Sequence, residues 1–154
     1  TSHFYDVGHG KGIASFVQTE CKDIVPSKES LRPTCQMVRL SSPQLDIISV
    51  YKSSNHSRRQ LIRDMEELID QGKATFVAGD FNIDNSKENS LAGELEGMGF
   101  KSVVNVATHV SGSHIDHAYF RDPAGLWQLT VERFSPYYSD HDLITAVLKK
   151  MNTE

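Results

Sequence analysis

The stretch from Leu45 to Asn82 constrains the fold more than any other part of the chain. It opens with Leu45-Asp46-Ile47-Ile48-Ser49-Val50-Tyr51, a run whose length and residue types suit a strand. The apolar period then changes. Leu61, Ile62, Met65, Leu68 and Ile69 fall at i, i+1, i+4, i+7 and i+8, which makes a single apolar stripe on a helix. Ser57 or Asn55 can cap the start of this helix, and Gly72 sits where a left-handed C-terminal residue belongs. A second apolar run, Ala74 to Ala78, follows and ends in the loop Gly79-Asp80-Phe81-Asn82. Alternation sends Asp80 and Asn82 the same way and turns Phe81 back to the core.

Around this unit the signals are mostly those of strands. Gly12 to Thr19 reads as a strand after a Gly-rich turn. Thr34 to Ser41 reads as a half-buried strand that Ser42-Pro43-Gln44 turns into Leu45 to Tyr51, forming a hairpin. A shorter helix is predicted over Ser86 to Gly97, with Leu91 and Leu95 inward. Four further strands are predicted over Ser102 to Val106, His114 to Phe120, Leu126 to Phe134, and Leu143 to Leu148. Strand–helix–strand units set among hairpins point to an α/β fold, a mixed sheet or two-sheet sandwich flanked by helices. At 154 residues the chain suits one domain, residues 1–154, with a real core.

No run approaches the roughly 18 apolar residues that span a bilayer, and Thr1 to Gly12 is too polar for a secretory leader. The net charge of −4 argues against passive, nonspecific nucleic-acid binding, but not against an enzyme whose acidic site is offset by a metal. Arg58, Arg59 and Arg63, with Lys52 nearby, make the clear basic cluster, and a solvated helix face is its plain reading. Cys21 and Cys35 form no CxxC pair, so a bridge and a reduced pair both stay open.

Chemistry points first to Asp80 and Asn82. Gly, Asp and Asn also populate turns for local reasons, but a polar pair just beyond a buried strand is where sites are assembled. A carboxylate beside a neutral hydrogen-bond donor is what phosphoester hydrolysis requires. In Ile115-Asp116-His117 the carboxylate points away from its neighbours on a strand, so its partner comes from another segment. Ser139-Asp140-His141-Asp142 is a natural source. A carboxylate that accepts from one imidazole nitrogen fixes the tautomer and raises the basicity of the other, which pairs Asp116 with His141. Tyr51 ends its strand before a polar loop and serves either edge packing or a phosphate oxygen. Zinc on His114-x-Asp116-His117 is the weaker reading, since the cysteines supply no further ligand at a recognisable spacing.

Tyr51, Gly-Asp-Phe-Asn at 79–82, Ile-Asp-His at 115–117 and Ser-Asp-His at 139–141, in that order, resemble the endonuclease/exonuclease/phosphatase (DNase I-like) superfamily. The wording is nearest to the endonuclease domains of mobile elements. The resemblance implies a four-layer α/β sandwich with two mixed sheets, a Mg²⁺ or Mn²⁺ cofactor, and DNA nicking as the activity. It implies that Asp80 activates or positions water, Asn82 holds phosphate or water, and Asp116 orients His141. It further implies that His141 stabilises the pentacovalent phosphorus, Asp140 lies beside the metal, and Tyr51 contacts the phosphate. Such an enzyme would act on DNA inside the cell, in the nucleus of a eukaryote, and not at a membrane. Two other functions fit the same residues: a non-catalytic binding module, and a phosphatase or phosphodiesterase acting on a lipid or inositol phosphate.

One departure bears on activity. The family begins with a strand, a helix and a strand that ends in a metal-binding Glu, and nothing before Gly12 matches these elements. The expectation is a domain that lacks its N-terminal strand–helix–strand, with those elements supplied by further sequence or another chain. It follows that the 154-residue chain alone should bind Mg²⁺ poorly and cleave slowly.

Overall fold

The structure, a computed structural model, describes residues 12–88 and 90–152. In chain order its elements are β1 (Val25–Arg32), β2 (Cys35–Ser41), β3 (Leu45–Lys52), α1 (Arg58–Leu68), β4 (Ala74–Asp80), α2 (Ala92–Gly97), β5 (Lys101–Ser102), β6 (Asp116–Arg121), β7 (Trp127–Phe134) and β8 (Leu143–Lys150). Six strands form one mixed sheet in the order β1-β2-β3-β4-β6-β5, and β7 and β8 form a second, two-stranded sheet. β3 and β4 are parallel, joined by α1; every other paired neighbour is antiparallel. Antiparallel pairs need only a turn, whereas a parallel pair needs a crossover, and α1 supplies it.

The two faces of the large sheet are covered differently. Ile48, Val50, Val77 and Tyr119 pack against Leu61, Met65 and Leu68 of α1 and against Leu91 and Leu95 around α2. Each helix side chain buried here contributes on the order of 2 kcal/mol. Phe76 and Ala118 face the other way, with Ile47, Ala78 and Phe120, onto Leu129, Val131, Ile144, Ala146 and Leu148 of the second sheet. Among the described residues the layers are therefore helix, sheet and sheet, a mixed α/β fold.

Several predicted elements change their limits for identifiable reasons. Gly12 to Thr19 is not a strand: Ile13, Ser15 and Val17 are buried in alternation, yet the segment joins no ladder among the described residues. β1 carries no apolar alternation because it is an edge strand, and Lys28, Glu29 and Arg32 keep that edge polar. Ser57 caps α1, accepting from the Gln60 amide at 3.4 Å. The helix ends at Leu68 because Ile69 turns extended, at φ −79° and ψ 128°, with its side chain still in the core, and Gly72 adopts no left-handed cap.

The helix predicted from Ser86 begins only at Ala92. Asp84 Oδ1 accepts from the Ser86 amide at 3.1 Å, the Ser86 hydroxyl at 2.7 Å and the His114 amide at 3.0 Å. Asn85 Oδ1 accepts from the Leu91 amide at 2.9 Å. These side-chain oxygens offer the backbone an alternative to the helix. β5 is only Lys101 and Ser102, so of the strand expected over Ser102 to Val106 just Ser102 is in a ladder. Cys21 is exposed, Cys35 is buried and both are free thiols.

Candidate active site

Three neighbouring strands set the site by register alone. Tyr51 on β3 pairs with Asp80 on β4, and Asp80 pairs with Asp116 on β6. All three lie in the row that also holds Ala78 and Ala118, so they share the face turned towards the second sheet. β4 runs through Gly79 and Asp80, which places Asp80 on the strand and not in the loop after it. Gly79 is required here: a Cβ at this position would lie 1.8 Å from the Val50 carbonyl oxygen, at φ +153°. That close approach keeps β3 and β4 tight where their polar side chains emerge.

Phe81 then turns into the core and is fully buried. It stacks on His117, with ring centroids 4.8 Å apart, and meets Tyr119 edge-on. His117 Nε2 donates to the carbonyls of Ile83 at 2.7 Å and His114 at 2.8 Å. Its Nδ1 therefore accepts from the Tyr119 hydroxyl at 2.8 Å, which in turn accepts from Asn85 Nδ2 at 2.9 Å. Both ring nitrogens are engaged and burial lowers the His117 pKa, so this imidazole is a neutral support for the loop and offers zinc no donor.

Asn82 leaves the strand at φ 48°, with its amide donating to Asp80 Oδ1 at 3.0 Å. Its Nδ2 donates to the Lys52 carbonyl at 2.7 Å, tying the loop after β4 to the end of β3. Among the described residues, the second Nδ2 hydrogen and Oδ1 meet no protein partner.

His141 comes from the other sheet's connection, and its Nδ1 meets Asp116 Oδ2 at 2.8 Å. Burial pulls its pKa down, but the Asp116 hydrogen bond and charge, with Asp80 and Asp140 adding, carry it above the ordinary histidine value. Burial raises the Asp80 pKa first, and the neighbouring Asp116 charge raises it further against the Asn82 amide bond. One ligand atom each from Asp80, Asp116 and His141 lies within 4.8 Å of the others. Asp80 and Asp116 open onto a cleft of about 420 Å³ lined also by Tyr51, Asp142 and Ile144.

Two residues near this group are not singled out as site residues by the sequence. Asp142 lines the cleft and pairs with Arg133 at 3.3 Å. His109 meets the His141 ring edge-on, with centroids 4.9 Å apart, and its Nε2 lies 3.3 Å from Asp140 Oδ2. Asp142 ends the Ser-Asp-His-Asp stretch without a role given to it there, and His109 has no spacing that ties it to the other motifs. Asp140 thus stands with His109 and His141, in a cluster that shares only His141 with Asp80 and Asp116. The basic cluster divides: Lys52 is buried with Nζ on the Ser53 carbonyl, and Arg58 pairs with Glu94. Arg59 and Arg63 line a separate groove at the start of α1.

Residues 32–141 match the Endonuclease/Exonuclease/phosphatase family. The chain belongs to that family. Its members are hydrolytic enzymes, nucleases and phosphodiesterases among them, and the matched segment holds Tyr51, Asp80, Asn82, His109, Asp116, Asp140 and His141, with Asp142 just beyond its end.

Solved structures share the fold at low identity. The endonuclease domain of TRAS1, a telomere-specific non-LTR retrotransposon, is 15% identical, with TM-score 0.60, over 90% of this chain and 70% of its own. The Haemophilus ducreyi cytolethal distending toxin is 18% identical, with TM-score 0.56, over 84% of this chain and 57% of its own. The human Nocturnin catalytic domain is 12% identical, with TM-score 0.56, over 92% of this chain and 66% of its own. The chain thus spans little more than half of the toxin structure's length. No curated protein sequence matches it.

Proposed function

We propose that the protein hydrolyses phosphodiesters in DNA, nicking one strand, as the endonuclease module of a mobile element. The observation that carries this reading is the Asp116–His141 pair facing Asp80 across adjacent strands. The fold shared with the TRAS1 endonuclease domain supports the choice of DNA, and such an enzyme would work in the nucleus of a eukaryotic cell.

The family implies a divalent cation, and the donors fit one. Two carboxylates converge from paired strands, and burial first, with the Asp116 charge adding, raises the Asp80 pKa, a cost to the ionised form that a hard dication would relieve. Asp80 and the second oxygen of Asp116 would hold Mg²⁺ or Mn²⁺, with Asp140 a further carboxylate on the rim. When bound, the cation offsets phosphate charge and acidifies water.

The chain's own residues then divide the work. Asp80 positions the attacking water and takes its proton, and burial makes it the stronger base. Asp116 holds the Nδ1 proton of His141, so Nε2 is aimed at the phosphate. There a charged imidazole stabilises negative oxygens as they develop. Tyr51, one strand over, and the uncommitted groups of Asn82 orient the phosphate.

The chain, extended at its N-terminus by a strand–helix–strand of the family, should nick supercoiled plasmid in Mg²⁺ and stop on addition of EDTA. Asp80→Ala and His141→Ala should each lose at least about 100-fold in rate. An inert protein that still shifts DNA would favour a binding module, and phosphate release from a lipid or inositol substrate would move the substrate class. Nicking that survives both substitutions would end the reading.

A further inference from the structure

We propose that His109, Asp140 and His141 form a binding site for a borderline transition-metal ion of the zinc class, and that an ion held there withdraws His141 from hydrolysis. The site differs in chemistry from the carboxylate pair. It offers two imidazoles and one carboxylate, a donor set that suits Zn²⁺, Co²⁺ or Ni²⁺ and not Mg²⁺.

Geometry brings the donors together before any ion arrives. One ligand atom from each residue lies within 4.8 Å of the other two. His109 Nε2 and Asp140 Oδ2 are already 3.3 Å apart, which is the edge of a zinc tetrahedron with bonds of about 2.0 Å. The backbone holds the segments in place. His109 and His141 form an isolated antiparallel bridge, the Val110 amide donates to the Asp140 carbonyl at 3.0 Å, and the Asp142 amide donates to the Thr108 carbonyl at 2.7 Å.

The outer shell is also present. A histidine ligand is oriented by the partner of its other nitrogen. Asp116 Oδ2 holds Nδ1 of His141 at 2.8 Å, so Nε2 is its remaining donor. Nδ1 of His109 lies 2.7 Å from the Ser111 hydroxyl, which lies 2.8 Å from the Ser113 hydroxyl. His141 thus gives its Nδ1 proton to Asp116, whereas His109, whose Nδ1 accepts from the Ser111 amide at 3.2 Å, must take the tautomer that gives its Nδ1 proton to the Ser111 hydroxyl as Nε2 takes the ion. Access is open: the Asp140 side chain is 65% exposed and the His109 side chain 22%. Three protein ligands leave a fourth position for water, as in open zinc sites.

Binding does not depend on the proposed function, whereas the loss of activity does. The experiment titrates the protein in Mg²⁺ buffer with Co²⁺, read by visible absorption, and with Zn²⁺ against a chromophoric chelator. His109→Ala should weaken binding at least about tenfold, because loss of even an outer-shell partner costs roughly 10–100-fold. Ser111→Ala, at an exposed position that folding tolerates, should weaken it about tenfold. Asp80→Ala should leave it unchanged. Zinc at a concentration that fills the site should stop nicking by the wild-type protein, and Ser111→Ala should need about ten times more. Equal affinities in wild type, His109→Ala and Ser111→Ala would overturn the proposal, as would a loss confined to Asp80→Ala. The metal titration decides this even for a preparation that nicks nothing, so its failure is distinct from failure of the hydrolytic reading.

Discussion

Replacing Gly79 by Ala should unfold the site and much of the domain. The Cβ would stand 1.8 Å from Val50 O, 2.7 Å from Val50 C and 2.9 Å from Val50 N, all backbone atoms of the paired strand. No side-chain rotation relieves a clash with backbone. To reach an ordinary contact of 3.4 Å, β3 and β4 must part at the register point that sets Tyr51 beside Asp80. Adopting φ +153° with a side chain costs about 1–3 kcal/mol by itself. Each ladder hydrogen bond broken as the strands part costs about 1 kcal/mol more, and core contacts around Val50 and Val77 loosen with them. The total is at least about 4 kcal/mol, a large share of the 5–15 kcal/mol typical of a domain.

Urea unfolding followed by circular dichroism measures the change. Gly93→Ala is the control, because a Cβ there meets nothing within 4 Å and lies on α2, where Ala is favoured by up to about 1 kcal/mol. A Gly79→Ala protein whose stability falls by less than about 1 kcal/mol would refute the steric argument and, with it, the account of why the Gly-Asp-Phe-Asn motif begins with glycine.

Two further outcomes follow from buried groups. Asp64 is buried, with its carboxylate on Arg32 at 2.6 Å and 2.8 Å and on Gln60 at 2.9 Å, and the Arg32 bond in the lead holds its pKa below the ordinary value. A folded pKa lower than the unfolded one adds stability above the unfolded value, about 3.9, that is lost as pH falls through the folded one. Denaturation midpoints should therefore drop below about pH 4, and Arg32→Ala should flatten that drop. Cys35 is pushed up to about 12, chiefly by burial, whereas Cys21 is exposed. A thiol reagent at pH 8 should label Cys21 at once and Cys35 only after unfolding; equal rates would contradict the packing of β2.

Helix α1 and strand β3 were legible because each buries one face and so leaves a periodic mark, and β2 and β4 because four successive buried residues make a mainly apolar run. Edge strand β1 was not, since a strand that touches the core at few points has no reason to alternate. The same logic explains the late start of α2. The oxygens of Asp84 and Asn85 compete with helix hydrogen bonds only because His114 and Leu91 are brought close by the fold. Ile69 reads as helix on its stripe, yet the core holds it in place after the helix has ended.

Chain order alone determined that a carboxylate stands at the end of a buried strand at Asp80, that Asp116 looks away from its own neighbours, and that its partner comes from another segment. Those follow from the period of a strand, which is local. Tertiary structure decided what alternation cannot: that β3, β4 and β6 lie side by side in a register aligning Tyr51, Asp80 and Asp116, and that His109 and Asp140 stand together beside His141. Register between strands depends on which faces find cover, and that is a property of the assembled layers rather than of any one segment.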